Sequence, residues 1–136
     1  MGRREQREQI FRLLFRVEFN TMEEMQEQCE LFFEDEENEF SEKDTVYIRE
    51  KVNLILGKLQ EIDDLIKETA KGWTIERMGK VELAVIRLAV YEIRFDEDVP
   101  AGVAINEAVE LAKKFGQDGS AGFVNGVLAK FVKAAE

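Results

Sequence analysis

Apolar positions along this chain recur at intervals of three and four residues, and no run alternates cleanly at two. That is the period of a helix with one buried face, so the sequence predicts an all-α fold without strands. Ile10, Leu13, Leu14 and Val17 form the inner face of a first helix from about Arg3 to Phe19. Met22, Met25, Cys29, Phe32 and Phe33 continue the period in a second. After an acidic break at 34–40, Ser41 stands three residues before Asp44 as a loose capping box. Val46, Val52, Ile55, Leu56, Leu59, Ile62, Leu65 and Ile66 then make a long apolar stripe that Gly72 stops. Thr74 is placed to cap the next element, with Trp73 as a hydrophobic staple toward Met78. Val81, Ala84, Val85, Leu88 and Ala89, with Tyr91 and Ile93 beyond, give another helix that ends at the acidic turn 96–98 and Pro100. A further helix over about 102–115 turns Ile105, Ala108, Val109 and Ala112 inward and closes at Gly116. Ser120 is placed to cap the last helix, which buries Phe123 or Val124 with Val127, Leu128 and Phe131. The natural division is two helical halves, about 1–71 and 73–136, sharing one core.

Composition adds to this picture without changing it. A chain of 136 residues with 45% hydrophobic and 35% charged residues fits one folded domain. No apolar run reaches membrane-spanning length, and no apolar segment follows the basic start as a secretory signal requires. The lone cysteine, Cys29, excludes an internal disulfide and points to a reducing compartment, the cytoplasm. Cys29 falls on the apolar face with Met25 and Phe32, as a packed small hydrophobe does.

Charge changes the picture more. The net charge of −10 opposes phosphate. Its distribution is uneven: residues 1–16 carry five arginines against Glu5 and Glu8, a net of +3, whereas residues 17–50 carry thirteen acidic side chains against Lys43 and Arg49, a net of −11. A basic island beside an acidic segment fits two partners of opposite charge. Arg3, Arg4 and Arg7 stand at i, i+1 and i+4 of a helix, where they either serve as solubilising surface or follow a phosphate backbone. Phe15 lies near Arg12 and Arg16, Phe115 follows Lys113 and Lys114, and Phe123 opens the next helix. Each ring is either core or a platform for an unpaired base. The acidic segment 23–44 is either a solvated face or a surface that steers a basic partner.

Catalysis finds no support. There is no histidine to act as general base or metal ligand, one cysteine cannot build a thiolate zinc site, and no phosphate-binding glycine loop or nucleophile elbow occurs. No catalytic residue, metal or cofactor is expected.

Three stretches narrow the reading. Val81-Glu-Leu-Ala-Val-Ile-Arg-Leu-Ala-Val-Tyr-Glu-Ile93, Val99-Pro-Ala-Gly-Val-Ala-Ile-Asn-Glu-Ala-Val-Glu-Leu-Ala-Lys-Lys-Phe-Gly116 and Phe123-Val-Asn-Gly-Val-Leu128 together resemble the NusB family. The opening Arg3-Arg-Glu-Gln-Arg-Glu8, followed by Leu13-Leu-Phe15, is similar to the family's arginine-rich start, with Phe15 where tyrosine is commoner. Within the third stretch, Gly126 in a helix interior costs about 1 kcal/mol against alanine, for which close helix packing is the expected compensation. The resemblance implies a NusB-like fold of about seven helices in two packed subdomains. It implies a transcription antitermination factor that binds boxA RNA of ribosomal RNA leaders together with NusE, a ribosomal small-subunit protein, and joins the elongating RNA polymerase. By position it implies an RNA surface of Arg3, Arg4, Arg7, Phe15, Phe115, Gln117 and Phe123, and a NusE contact through Glu76 and Glu82. The free protein is then a monomer or a homodimer with no membrane partner. Two alternatives stay open: a fragment of a ribosomal RNA cytosine methyltransferase that carries a NusB-like domain, and a helical protein-binding adaptor that holds no RNA.

Overall fold

Each stretch of helical period is helical, though one of them divides in two. The computed structural model describes residues 1–135, with side chains as far as Val132, and contains seven α-helices and two 3₁₀ turns, with no strand among the described residues. It divides into two compact units, Met1–Leu56 and Gly57–Glu136.

The first unit holds α1 (Arg3–Phe15), a 3₁₀ turn (Arg16–Phe19), α2 (Met22–Glu34) and α3 (Glu42–Gly57) up to Leu56. The first helix is thus shorter than its apolar period, and its last turn tightens to 3₁₀. Ile10, Phe11, Leu13, Leu14, Met25, Phe32, Ile48, Val52 and Ile55 are almost fully buried and form the core. Each such side chain contributes about 1.5–3 kcal/mol of burial free energy. Met22 and Val46, expected inside, are 49% and 45% exposed, because each sits in the first turns of its helix on the outer side of the stripe. The start of α2 carries a full capping box: Glu24 N–H donates to Thr21 Oγ1 (3.2 Å) and Thr21 N–H donates to Glu24 Oε1 (2.8 Å). At α3, Asp44 N–H donates to Ser41 Oγ (3.1 Å) as expected. The Asp44 carboxylate accepts the Ser41 hydroxyl (2.9 Å) and the buried Gln6 amide of α1 (2.9 Å), so the capping residue also ties α3 to α1.

The long stripe from 46 to 66 is two helices. α3 ends at Gly57, Lys58 leaves helical geometry (φ −109°, ψ 5°), and α4 runs from Leu59 to Thr69. Glycine, the weakest helix former after proline, marks the break. Because α4 packs on α5 and α7, the division of the chain falls here rather than near Gly72.

The second unit comprises α4, a 3₁₀ turn (Ile75–Arg77), α5 (Lys80–Phe95), α6 (Ala101–Phe115) and α7 (Ser120–Ala135). α5 is its axis. Every residue from Leu83 to Glu92 is buried, because α4, α6 and α7 all pack against it. A helix apolar on most sides belongs at the centre of a core. Its buried Arg87 meets Asp63 of α4 in a two-pronged ion pair, Nε–Oδ1 2.9 Å and Nη2–Oδ2 3.0 Å. On α6 the inward residues are Ala104, Ala108, Leu111 and Ala112, while Ile105 and Val109 are half-buried. On α7, Val124 rather than Phe123 enters the core, with Val127, Leu128 and Phe131.

The punctuation of this unit differs from expectation in three places. Thr74 caps nothing through its side chain, and Trp73 packs on Phe123, held by a tight turn whose Gly72 has φ +90°. Ser120 is the first residue of α7, and Gly119 (φ +90°) makes the sharp entry before it. Gly126 is exposed, with nothing near where a Cβ would stand, so close packing does not explain it. Gly116 is the glycine that packing demands: a Cβ there would lie 2.6 Å from the Ala112 carbonyl oxygen and from Ser120.

Candidate nucleic-acid interface

In the first unit the basic island is a surface built on α1. Arg3 and Arg4 are exposed and Arg7 is half-exposed, since the buried positions Gln6, Ile10, Leu13 and Leu14 turn the other side of the helix inward. The Arg3 guanidinium lies 4.7 Å over the Tyr47 ring of α3, a cation–π contact that holds it without neutralising it. The other two arginines serve the fold. Arg12 reaches Glu8 at 3.5 Å. Arg16 donates to Gln28 Oε1 (3.0 Å) and to the Gln28 carbonyl (3.3 Å), and stands 5.4 Å from the Phe32 ring.

Phe15 is half-buried at the centre of an aromatic row. Its ring centroid is 6.2 Å from Phe11, which is core, and 5.3 Å from Phe19, which is 59% exposed. The row follows from i, i+4 spacing and passes from interior to surface. Phe19 escapes the sequence reading, although its spacing from Phe15 is the signal that could reveal it. Beside this surface the acidic segment is ordered rather than loose: Glu37 N–H donates to Asp35 Oδ1 (2.9 Å), and Phe40 packs on Phe32 at 5.9 Å. The Asp44 carboxyl is held below the usual carboxylate range by the Gln6 amide and then the Ser41 hydroxyl. Burial raises the Cys29 thiol against the opposing pull of Arg49 and Arg16, so it stays a neutral, packed side chain.

In the second unit the turn between α6 and α7 carries the remaining predicted residues. Phe115, half-buried, ends α6 with Lys114 Nζ 5.5 Å from its ring centroid. Gln117 is exposed, and its N–H donates to Ser120 Oγ (3.0 Å). The buried Ser120 hydroxyl in turn donates to Glu82 Oε1 (2.8 Å) near the start of α5. Phe123 is half-buried and meets Trp73 edge-to-face at 5.0 Å. Of the two carboxylates expected to face a protein partner, Glu76 is exposed on its 3₁₀ turn. Glu82 is half-exposed, folded over Gly79, and already holds Ser120. Each unit thus presents arginines or lysines next to partly open rings, a pairing suited to phosphate and unstacked base together. Among the described residues no three His, Cys, Asp or Glu side chains converge as a metal site, and no helix is long and apolar enough to cross a membrane.

Relatives match nearly the whole length of this chain. A transcription antitermination protein NusB from Agathobacter rectalis is 53% identical over 131 residues, covering 96% of this chain and 99% of its own. Among solved structures, T. maritima NusB superposes with a TM-score of 0.84 at 36% identity, covering 98% of this chain and 92% of that one. A chain from the crystal structure of antitermination factors NusB and NusE in complex with double-stranded RNA matches with a TM-score of 0.77 at 29% identity, covering 98% of this chain and 99% of its own. The sequence model of the NusB family spans residues 4–133, from the arginine-bearing first helix through the last turn of α7, and the chain belongs to that family.

Proposed function

We propose that this protein is a transcription antitermination factor that binds boxA RNA of ribosomal RNA leader transcripts together with NusE, and that it acts by binding rather than by catalysis. The observation that carries the reading is kinship over the full length with antitermination proteins, one of whose structural relatives is in complex with NusE and RNA. The methyltransferase alternative loses ground to the same fact, because the Agathobacter relative is matched over 99% of its own length. The charge distribution supplies the physics. In this reading Arg3, Arg4 and Arg7 take phosphates while Phe15, Phe115, Gln117 and Phe123 take bases. Glu76 and Glu82 meet the basic protein partner, which offsets a net charge of −10 that by itself repels RNA. The same reading places the protein in the cytoplasm, in the elongating RNA polymerase complex, and free as a monomer or homodimer.

The test is a salt titration of boxA RNA binding with and without NusE, on the wild type and on the Arg3→Ala/Arg4→Ala/Arg7→Ala chain. NusE should tighten binding. The triple variant should bind more weakly, with its salt slope lowered by about 0.7 for each phosphate that an arginine no longer neutralises. Its folding should change little, because exposed and half-exposed arginines near a helix start contribute little to stability and oppose the helix dipole. No binding to boxA RNA under either condition refutes the function. Unaltered affinity and slope in the triple variant would remove α1 from the RNA surface.

A further inference from the structure

We propose that Trp73 is a base-stacking residue of the RNA surface, taking an unpaired base of single-stranded RNA on the open face of its indole. The inference rests on the RNA-binding reading above.

Trp73 is the one tryptophan of the chain, and half of it is exposed (50%). Tryptophan is highly buried on average, so a half-exposed one stands out on a folded domain. It is not loose surface. It follows Gly72, whose positive φ turns the chain after α4, and its N–H donates to the Ala70 carbonyl (3.1 Å). Its ring sits at 69° to Phe123 with centroids 5.0 Å apart. That contact holds the indole beside the first turn of α7 while half of the residue stays exposed. A rigid, partly open aromatic pair is the element that stacks single-stranded bases without regard to their identity.

The surrounding charge selects the occupant. Segments 71–80 and 113–123 carry Lys71, Arg77, Lys80, Lys113 and Lys114 against Glu76 and Asp118, and all seven side chains are exposed. This is a local positive balance in a chain of net −10. The five cations favour a ligand that brings phosphates along with its bases, and Glu76 beside them is left to the protein partner of the reading above. Phe123, the other ring of the pair, stands in the first turn of the helix that follows Gln117, so one strand can reach both.

A single tryptophan makes the test direct. Labelled boxA RNA is titrated against the full chain, with and without NusE, while RNA anisotropy and indole emission are followed together; the Trp73→Phe chain supplies the blank for any emission from the partner. Indole emission should change in step with anisotropy. Trp73→Ala should lose about tenfold in RNA affinity with its salt slope intact, and Trp73→Phe should recover most of that loss. Thermal unfolding shows that each variant is folded at the assay temperature; should Trp73→Ala not fold, Trp73→Phe and the emission titration decide. Binding by anisotropy with unchanged emission and unchanged variant affinity overturns the assignment and leaves the RNA-binding reading standing. A Trp73→Ala chain that loses NusE but keeps RNA also overturns it, giving the surface to the protein partner. No anisotropy change under any condition overturns both.

Discussion

Replacing Phe15 separates two jobs that one side chain performs in the first unit. A fully buried phenylalanine truncated to alanine costs about 3–5 kcal/mol. Phe15 is half-buried, so its burial share is roughly 2 kcal/mol on that scale. Two ring pairings go as well, with Phe11 at 6.2 Å and Phe19 at 5.3 Å. Such pairs contribute about 0.5–1.5 kcal/mol each, and the pair with the exposed Phe19 belongs at the low end. Phe15→Ala should therefore destabilise folding by about 2–3 kcal/mol. Phe15→Leu keeps most of the apolar packing and should cost about 1 kcal/mol. Neither leucine nor alanine can stack a base, so both should weaken RNA binding by about 1–3 kcal/mol with an unchanged salt slope. Urea unfolding of the three chains gives the first set of numbers, and RNA titration at several salt concentrations gives the second. A Phe15→Ala chain with the wild-type urea midpoint would contradict the aromatic row. A Phe15→Leu chain with wild-type RNA affinity would take Phe15 out of the RNA surface.

Further expectations concern the fold that carries the site. Asp63→Ala should destabilise by about 2–4 kcal/mol in urea unfolding, because it takes the carboxylate from the buried Arg87, whereas Asp63→Leu with Arg87→Met should recover most of the loss. Gly126→Ala should raise the melting temperature, by up to about 1 kcal/mol of added stability, since the site is helical, exposed and open. Gly116→Ala should lower it, because the new methyl meets the Ala112 carbonyl and Ser120. The Asp44 carboxyl is held low in the folded state, so its contribution is full above the unfolded value of about 4 and fades as pH falls through the folded one. Urea midpoints measured from pH 6 downward should therefore drop, and Gln6→Leu, which removes the leading hydrogen bond, should flatten that drop.

Periodicity is what the amino-acid order makes legible. Buried faces on α1, α2, α4 and α7 follow from three- and four-residue spacing, and the two motif blocks at 81–116 place α5 and α6. The misses come where tertiary packing overrides a local signal. Val46 continues an apolar stripe yet points outward, since only the fold decides which side of a helix is covered. Gly57 has no flanking breaker and reads as an ordinary residue of a long stripe, although a helix ends there. Thr21 and Glu24 have the spacing of a capping box but stand just before an apolar run whose own period masks it. Ser120 has the look of a cap because hydroxyls usually serve their own helix, and its partner Glu82 lies too far along the chain for local rules to reach. Trp73 pairs with Met78 by proximity in sequence, whereas Phe123 is its neighbour in space.

A serine hydroxyl has one proton to give, and Ser120 gives it to Glu82 while taking the N–H of Gln117 in return. The carboxylate at the head of α5 and the backbone of the α6–α7 turn therefore share a two-bond relay. A cation arriving at Glu82 must divide that carboxylate with Ser120 or displace it, and either event reaches the peptide that carries Gln117. Free-energy linkage is reciprocal: if such a cation loosens the turn, a ligand gripping the turn weakens the hold on the cation by the same factor.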